Sequence, residues 1–351
     1  MGANLDAVIK ETNKKFKTET VTKGAAKYNY TRVPFSSPKL NYMTYGGLPL
    51  GSIVEFFGLE SSGKTTTALD IIANAQKMFK AAGDDKKVLF VDVENTFDTD
   101  WAQKLGVDTD DLVMFIPQNQ PAEEILNVML DFIDTGEIGL AVLDSIGVLL
   151  SAAEFNEDLD KSQYGGISKV LSKFVKKATL STARNHCLLL CINQCRDNLG
   201  SMYGGLTTPG GHAFKFMCTM RLMFQHGKFI DEKGNEVSGN TENPFGNIVN
   251  VKIEKTKCCA PDRRMGHYTL RYDTGIDAIS DFVDIGLLYG LIQQGGAWFS
   301  IIDPETGELL NFKDKDLKFQ GKPKLVAAFK EDPELLEFIK KRLDILMYPE
   351  E

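Results

Sequence analysis

The stretch Gly46–Thr66 reads GGLPLGSIVEFFGLESSGKTT, and its last part, Gly58-Leu59-Glu60-Ser61-Ser62-Gly63-Lys64-Thr65, fits G-x-x-x-x-G-K-[ST] without a gap. A strand pattern, Ser52–Phe57, leads into it, and a helical pattern from about Gly63 to Lys80 leaves it. Strand, glycine-rich turn and helix together are the setting in which this motif cradles phosphate. The glycines let backbone amides converge on phosphate oxygens at a helix N-terminus, where the helix dipole already favours negative charge. In that setting Lys64 reaches the β- and γ-phosphates of a nucleoside triphosphate and the Thr65 hydroxyl ligates Mg²⁺. Gly58, Glu60, Ser61, Ser62, Gly63 and Thr66 complete the expected nucleotide loop.

Working outward, Lys87–Val91 (KVLFV), Gly139–Leu143 (GLAVL) and His186–Asn193 (HCLLLCIN) are buried-type strands. Helical patterns at 101–105, 121–134 and about Ile167–Arg184 lie between them, the last with Val170, Leu171, Phe174, Val175 and Ala178 on one face. This alternation predicts the α/β class: a mostly parallel twisted sheet with helices on both faces. Longer strands at Thr219–Gln225, Ile248–Lys257 and His267–Tyr272 extend the sheet with antiparallel members. A helix at Ala278–Tyr289 follows. The expected organisation is a short N-terminal segment (1–35) with a helix at Asn4–Phe16, a core (36–290) and a small α/β C-terminal domain (291–351).

Three residues at strand ends stand where triphosphate chemistry needs them. Asp144 ends LAVLD, at the carboxyl edge where nucleotides bind, and there it can hold the Mg²⁺ shell. Glu94 stands just past KVLFVD, placed to orient and deprotonate an attacking water; its neighbour Asp92 is the weaker candidate. Gln194 follows the third strand, and a neutral amide there suits a γ-phosphate sensor.

Among the 351 residues the apolar fraction of 43% and the charged fraction of 25% exclude wholesale disorder. No apolar run reaches the roughly 18 residues of a membrane span, and the N-terminus lacks an apolar signal core, so a cytoplasmic protein is expected. The net charge of −8 is unevenly spread: +5 over 1–40, −16 over 41–160, +8 over 161–280 and −5 over 281–351. Two basic segments leave room for a polyanion-binding surface. Six cysteines do not form a disulfide framework in so long a chain. On a strand, Cys187, Cys191 and Cys195 would stretch over roughly 27 Å, too far for one zinc ion, so the cysteines, the adjacent Cys258 and Cys259 included, are expected in the core.

Several stretches together resemble the RecA family of homologous recombinases, over roughly residues 33–345. They are the loop at Gly46–Thr66, VDVENTFDTDWAQKLGVD (Val91–Asp108), LAVLDS, INQ, GGLTTPGGHAFKF, VKIEKTKCCAP and GAWFS, in the family's order. The resemblance implies a RecA-like P-loop NTPase core that binds ATP with Mg²⁺. It implies a DNA-dependent ATPase that polymerises head to tail as a homo-oligomeric helical filament on single-stranded DNA and pairs it with homologous double-stranded DNA. By resemblance Glu94 is the catalytic glutamate, Gln194 the sensor, Asp98 a contact to the base, and Trp101 stands where the family has a tyrosine against the adenine. Lys255 and Lys257 match a pair that reaches ATP from the neighbouring protomer, and Phe216 matches the residue that carries the nucleotide signal across the interface.

The N-terminal segment is expected to dock on the adjacent subunit. Two loops, about 156–166 and 195–211, would hold DNA. Tyr164 and Gly165 in the first, Arg196, Leu199, Gly210 and Gly211 in the second, and His212 beside it are the expected contacts. Lys169, Ser172 and Lys176, on one face of the next helix, match phosphate-contacting positions. Leu59 departs from the family's usual proline, and the second loop is one residue shorter. The alternative is a hexameric helicase on the same core, which would call for a further N-terminal domain and a trans arginine, where this chain offers about 35 residues and a lysine pair.

Overall fold

Every residue from Ile53 to Gly58 is buried, as a strand covered on both faces requires, and this strand lies in the middle of the main sheet. The computed structural model describes residues 4–16, 21, 30–158, 166–197 and 206–348. Across the sheet the order is Gly275–Ile276, Met265–Arg271, Gly246–Thr256, Met220–Ile230, Ile53–Gly58, Leu188–Gln194, Ile138–Asp144, Lys87–Asp92 and Leu112–Phe115. Pairing is parallel from Met220–Ile230 through to Leu112–Phe115, and antiparallel from Met220–Ile230 outward to Gly275–Ile276. The α/β reading and its antiparallel extension are therefore observed.

Side chains alternate across this sheet with period two. Val54, Phe56, Val88, Phe90, Leu140 and Val142 join one buried cluster with the helix Lys64–Ala82. Ile53, Leu89, Val91, Ala141 and Leu143 join another, beneath the helices Ala122–Asp134 and Gly166–Asn185. The second of these helices presents Leu171, Phe174, Val175 and Ala178 to the core. Close packing fixes one glycine: a Cβ on Gly139 would stand 2.4 Å from the Phe79 ring.

A third cluster gathers Phe282, Val283 and Ile285 of the helix Ala278–Leu288 with the C-terminal elements. These are an antiparallel sheet of Ile292–Gly295, Trp298–Ile301 and Lys318–Gln320, and the helices Lys322–Glu331 and Pro333–Met347. Asp332 caps the last helix through the amides of Glu334 and Leu335, with Pro333 in its first turn. Residues 1–31 form a separate unit, whose helix Leu5–Phe16 buries none of its residues within that unit. No described helix is long and apolar enough to cross a membrane.

Among the elements outside the sequence-based expectation, three bear on the site and the sheet. The strand Leu112–Phe115 forms the parallel edge of the sheet. The helix Pro38–Thr44 is started by Ser37, whose hydroxyl accepts from the Leu40 amide. The helix Gly211–Met217 begins where the second loop was expected to end. The cysteine expectation divides. Cys187, Cys191 and Cys218 are buried, whereas Cys195, Cys258 and Cys259 are only half-buried. The strand that carries the last pair reaches its end at Thr256, so both sit in a turn at its rim.

Candidate functional site

The loop between Gly58 and Lys64 turns on two backbone requirements. Gly58 pairs with Phe224, and a Cβ there would lie 2.2 Å from the Phe224 carbonyl oxygen. Gly63 has φ 91°, a left-handed conformation that glycine adopts without strain, and the helix starts at the next residue. Ser62 Oγ donates to the Leu59 carbonyl at 2.7 Å and steadies the turn. Lys64 Nζ donates to the carbonyls of Leu59 at 2.7 Å and Gly58 at 3.3 Å. Burial lowers the Lys64 ammonium, while Asp144, Glu94 and Glu60 pull the other way.

The cleft beside this loop has a volume of about 400 Å³ and is lined by Ser61 to Thr66 together with His226, Phe229, Asn247, Leu270 and Tyr272. Tyr272, half in solvent, donates its hydroxyl to Asn247 Oδ1 at 3.0 Å. Neither Tyr272 nor Asn247 carries a sequence signal of its own. Tyr272 comes one residue past its strand, and only the fold carries it to the loop. Asp98 and Trp101 do not line this cleft. Asp98 accepts from the Trp101 amide at 2.9 Å and so caps the helix Thr99–Lys104, while the Trp101 ring packs partly buried against the core.

The strand-end residues do converge. Thr65 Oγ1 donates to Asp144 Oδ2 at 2.8 Å. Burial pushes the Asp144 carboxyl up to about 6; Glu94 and Asp92 add to this, and the Thr65 bond and Lys64 oppose it. A buried carboxylate and a hydroxyl, both hard oxygen donors, fit a Mg²⁺ ion. Glu94 Oε1 accepts from Gln194 Nε2 at 3.0 Å and from Ser145 Oγ. The buried Asp92 accepts from the amides of Thr96 and Phe97, at 3.3 and 3.0 Å, and so folds the loop after Glu94. Gln194 is the last residue of its strand, paired with Gly58, so Gln194 and the phosphate loop are direct neighbours.

Beneath them lies a charged pair that the sequence reading missed. Glu55, fully buried, accepts from Arg221 Nε and from Asn193 Nδ2, the latter at 2.8 Å. Asn193 Nδ2 also donates to the Pro209 carbonyl at 3.0 Å, and Arg221 lies 4.5 Å over the Phe57 ring. The strand that ends at Gln194 is thereby tied to the end of the second loop.

The lysine pair sits elsewhere. Lys255 Nζ donates to the carbonyls of Lys215 at 2.7 Å and Phe216 at 2.6 Å, and Lys257 Nζ donates to that of Phe216 at 2.7 Å. Two cations thus cap the C-terminal end of the helix Gly211–Met217. Phe216 itself is 68% exposed, with its ring 6.3 Å from that of His212.

Of the expected DNA contacts, Lys169 and Lys176 are exposed on the helix Gly166–Asn185, and Ser172 between them donates its hydroxyl back to the Ser168 carbonyl at 2.7 Å. Arg196 is exposed and donates to the Gly147 carbonyl at 3.0 Å. Gly210, with φ 107°, caps the helix that Gly211 and His212 open. The described ends of the second loop are not irregular: Arg196–Asp197 pairs with Leu206–Thr207. Tyr164, Gly165 and Leu199 lie outside the described residues.

The family model of the RecA N-terminal domain matches residues 3–277. The chain is similar to Protein RecA of Clostridium acetobutylicum, 36% identical over 264 residues, covering 75% of this chain and 71% of that one. It is similar to Protein RecA of Paracoccus denitrificans, 34% identical over 264 residues (75% and 69%), and of Cytophaga hutchinsonii, 33% over 299 residues (85% and 76%). These matches do not favour the helicase alternative. The chain belongs to the RecA family of DNA recombinases.

Proposed function

We propose that this recombinase binds and hydrolyses ATP at the loop Gly58–Thr66, and that the state of the nucleotide sets how firmly a helical filament of the chain holds single-stranded DNA during exchange with a homologous duplex. The observation that carries the reading is the bond from Gln194 to Glu94. It joins the carboxylate best placed to activate water to a strand that runs directly into the 195–211 segment.

In this reading Glu94 takes a proton from the attacking water, while Ser145 and Gln194 hold its carboxylate in orientation. Lys64 turns from the Leu59 carbonyl to the β- and γ-phosphate oxygens. Thr65 and Asp144 would hold Mg²⁺, which would offset the negative charge of the phosphate oxygens. Tyr272 offers a ring at the mouth of the cleft for the base to stack on, and Asp98 and Trp101 are the further base contacts that the family resemblance supplies. Lys255 and Lys257 reach the nucleotide of the neighbouring protomer, supplying positive charge in trans, and Phe216 relays its state.

Residues 1–35 serve oligomerisation, 36–290 the ATPase core and 291–351 an accessory domain. Lys169, Ser172, Lys176, Arg196, Gly210, Gly211 and His212, with Tyr164, Gly165 and Leu199, form the DNA surface. The protein acts in the cytoplasm. The test is strand exchange between single-stranded and homologous duplex DNA, run beside ATP turnover. Wild type shows DNA-stimulated turnover and exchange, and Lys64→Ala loses both. Unstimulated turnover, or exchange surviving in Lys64→Ala, sinks the mechanism.

A further inference from the structure

Cys258 and Cys259 follow directly on Lys257, half-buried at the rim of the main sheet. Their surroundings set them apart from the other four cysteines. Burial pushes the thiols of Cys187, Cys191 and Cys218 well up, that of Cys187 to about 12, and it raises half-buried Cys195 as well. Cys258 faces a fixed cation instead. Arg32 Nη1 points at Cys258 Sγ from 3.7 Å, and Nη2 donates to the Cys258 carbonyl at 2.7 Å. The guanidinium cannot swing away easily, because Nη1 also donates to the carbonyls of Gly47 at 3.1 Å and Thr44 at 3.3 Å. The Thr256 hydroxyl stands 3.1 Å from Cys259 Sγ and 3.7 Å from Cys258 Sγ, so one oxygen faces both sulfurs.

A cation and hydrogen-bond donors around a partly exposed sulfur are what turn a thiol into a nucleophile. The neighbouring Cys259 thiol holds Cys258 below the ordinary thiol range; burial opposes this, and Arg32 and Thr256 add to it. Its twin moves the other way, pushed up chiefly by Cys258 and then by burial. The contacts thus favour the thiolate at Cys258 and the thiol at Cys259.

We propose that Cys258 is a thiol-modification site, the attacking sulfur of an adjacent dithiol that exchanges with small-molecule disulfides. The Cys258 thiolate attacks one sulfur of R–S–S–R in line with the S–S bond. A Cys258–S–S–R bond forms, the old S–S bond breaks, and its electron pair leaves with R–S⁻. The protein sulfur is oxidised and the departing sulfur reduced. The adduct takes the place of Arg32 Nη1 at the sulfur and crowds the guanidinium that also holds the Cys258 carbonyl. The preceding residue, Lys257, is held to the sheet by its amide bond to the Thr219 carbonyl at 2.9 Å. Modification therefore displaces the strand end bearing Lys255 and Lys257, and turnover falls. That consequence rests on the trans role proposed above for the two lysines; the exchange chemistry does not.

The experiment treats the full-length protein with oxidised glutathione and follows adducts by peptide mass spectrometry, with ATP turnover measured in parallel. The first adduct is expected on the peptide holding both cysteines, absent in Cys258→Ser, present in Cys259→Ser and removed by dithiothreitol. ATP turnover of the modified wild type falls roughly tenfold or more, within the loss expected when a transition-state group moves by about 1 Å. It recovers on reduction, and Cys258→Ser resists the treatment. A first adduct on Cys195, or labelling of Cys258 no faster than in the urea-unfolded chain, overturns the site. Full labelling with unchanged turnover overturns the regulatory consequence. If untreated protein shows no DNA-stimulated turnover, the functional reading is what fails, and the labelling result still decides the site.

Discussion

Gln194 and Glu94, one hundred residues apart in the chain, meet through a 3.0 Å hydrogen bond at the carboxyl edge of the sheet. The amide occupies one oxygen of the carboxylate that the mechanism uses as a base, and Gln194 heads the segment proposed to grip DNA. Glu94→Gln is therefore expected to lower ATP turnover by about 10²- to 10⁴-fold, the usual worth of a positioned general base, with nucleotide affinity retained. Gln194→Ala keeps unstimulated turnover within a few-fold of wild type but loses the acceleration by single-stranded DNA. Steady-state turnover with and without DNA measures both. A Gln194→Ala variant that responds to DNA as wild type does removes the sensor role.

Lys255 and Lys257 bond the carbonyl end of the helix that carries Phe216, and they do not line the cleft at their own Lys64. If each nucleotide lies between two protomers, Lys64→Ala and Lys255→Ala damage opposite sides of the site. Mixing the two inactive variants then rebuilds intact sites wherever a Lys255→Ala protomer supplies the cradle and a Lys64→Ala protomer the trans lysine. Random head-to-tail assembly of equal amounts gives roughly a quarter of wild-type turnover. No recovery at any ratio means the pocket is completed within one chain.

Asp281, on the helix Ala278–Leu288, is 1% exposed, accepts from Ser37 Oγ at 2.5 Å and pairs with Lys39 at 3.2 Å. Burial pushes its carboxyl up to about 6, against the pull of Lys39 and Ser37. The folded chain thus holds this proton more tightly than the unfolded chain does. The contribution to stability is complete below pH 4 and is lost as pH rises through 6, a swing on the order of 3 kcal/mol. Asp281→Asn has no proton to lose. Its stability relative to wild type, from urea unfolding, is expected to improve by about that amount between pH 4 and pH 7. A constant difference between the two proteins across that range refutes the assignment.

The phosphate loop and its flanking strands were legible because their signals are local. Ile53 to Phe57 form an unbroken buried run, and Gly63-Lys64-Thr65 opens a helix in its own sequence. The edge strand Leu112–Phe115 was not, since only Leu112 is buried there and no alternation marks it. Glu55 hid inside an apolar strand, and nothing near it in sequence announces Arg221 or Asn193 as partners. Tyr272 was read merely as a strand end, because its neighbour Asn247 comes from another strand. Pairing between distant segments is what a single sequence conceals. The cysteines show the same limit in another form: spacing excluded a shared zinc ion, but only the turn after Thr256 and the reach of Arg32 reveal which thiols meet solvent and charge.

Lys169 and Lys176 stand exposed on the helix that follows the first loop, whereas the Ser172 hydroxyl between them is spent on the Ser168 carbonyl. If the two ammonium groups touch phosphates, each releases counterions when single-stranded DNA binds. Lys169→Ala and Lys176→Ala are each expected to reduce the slope of log affinity against log salt by about 0.7, equally for oligonucleotides of any sequence. Ser172→Ala, which removes no charge, leaves the slope unchanged and serves as the control. Fluorescence anisotropy with labelled oligonucleotides over a salt series measures all three. A double-lysine variant with the wild-type slope would make this face a solvated helix surface and move the DNA contacts to the loops alone.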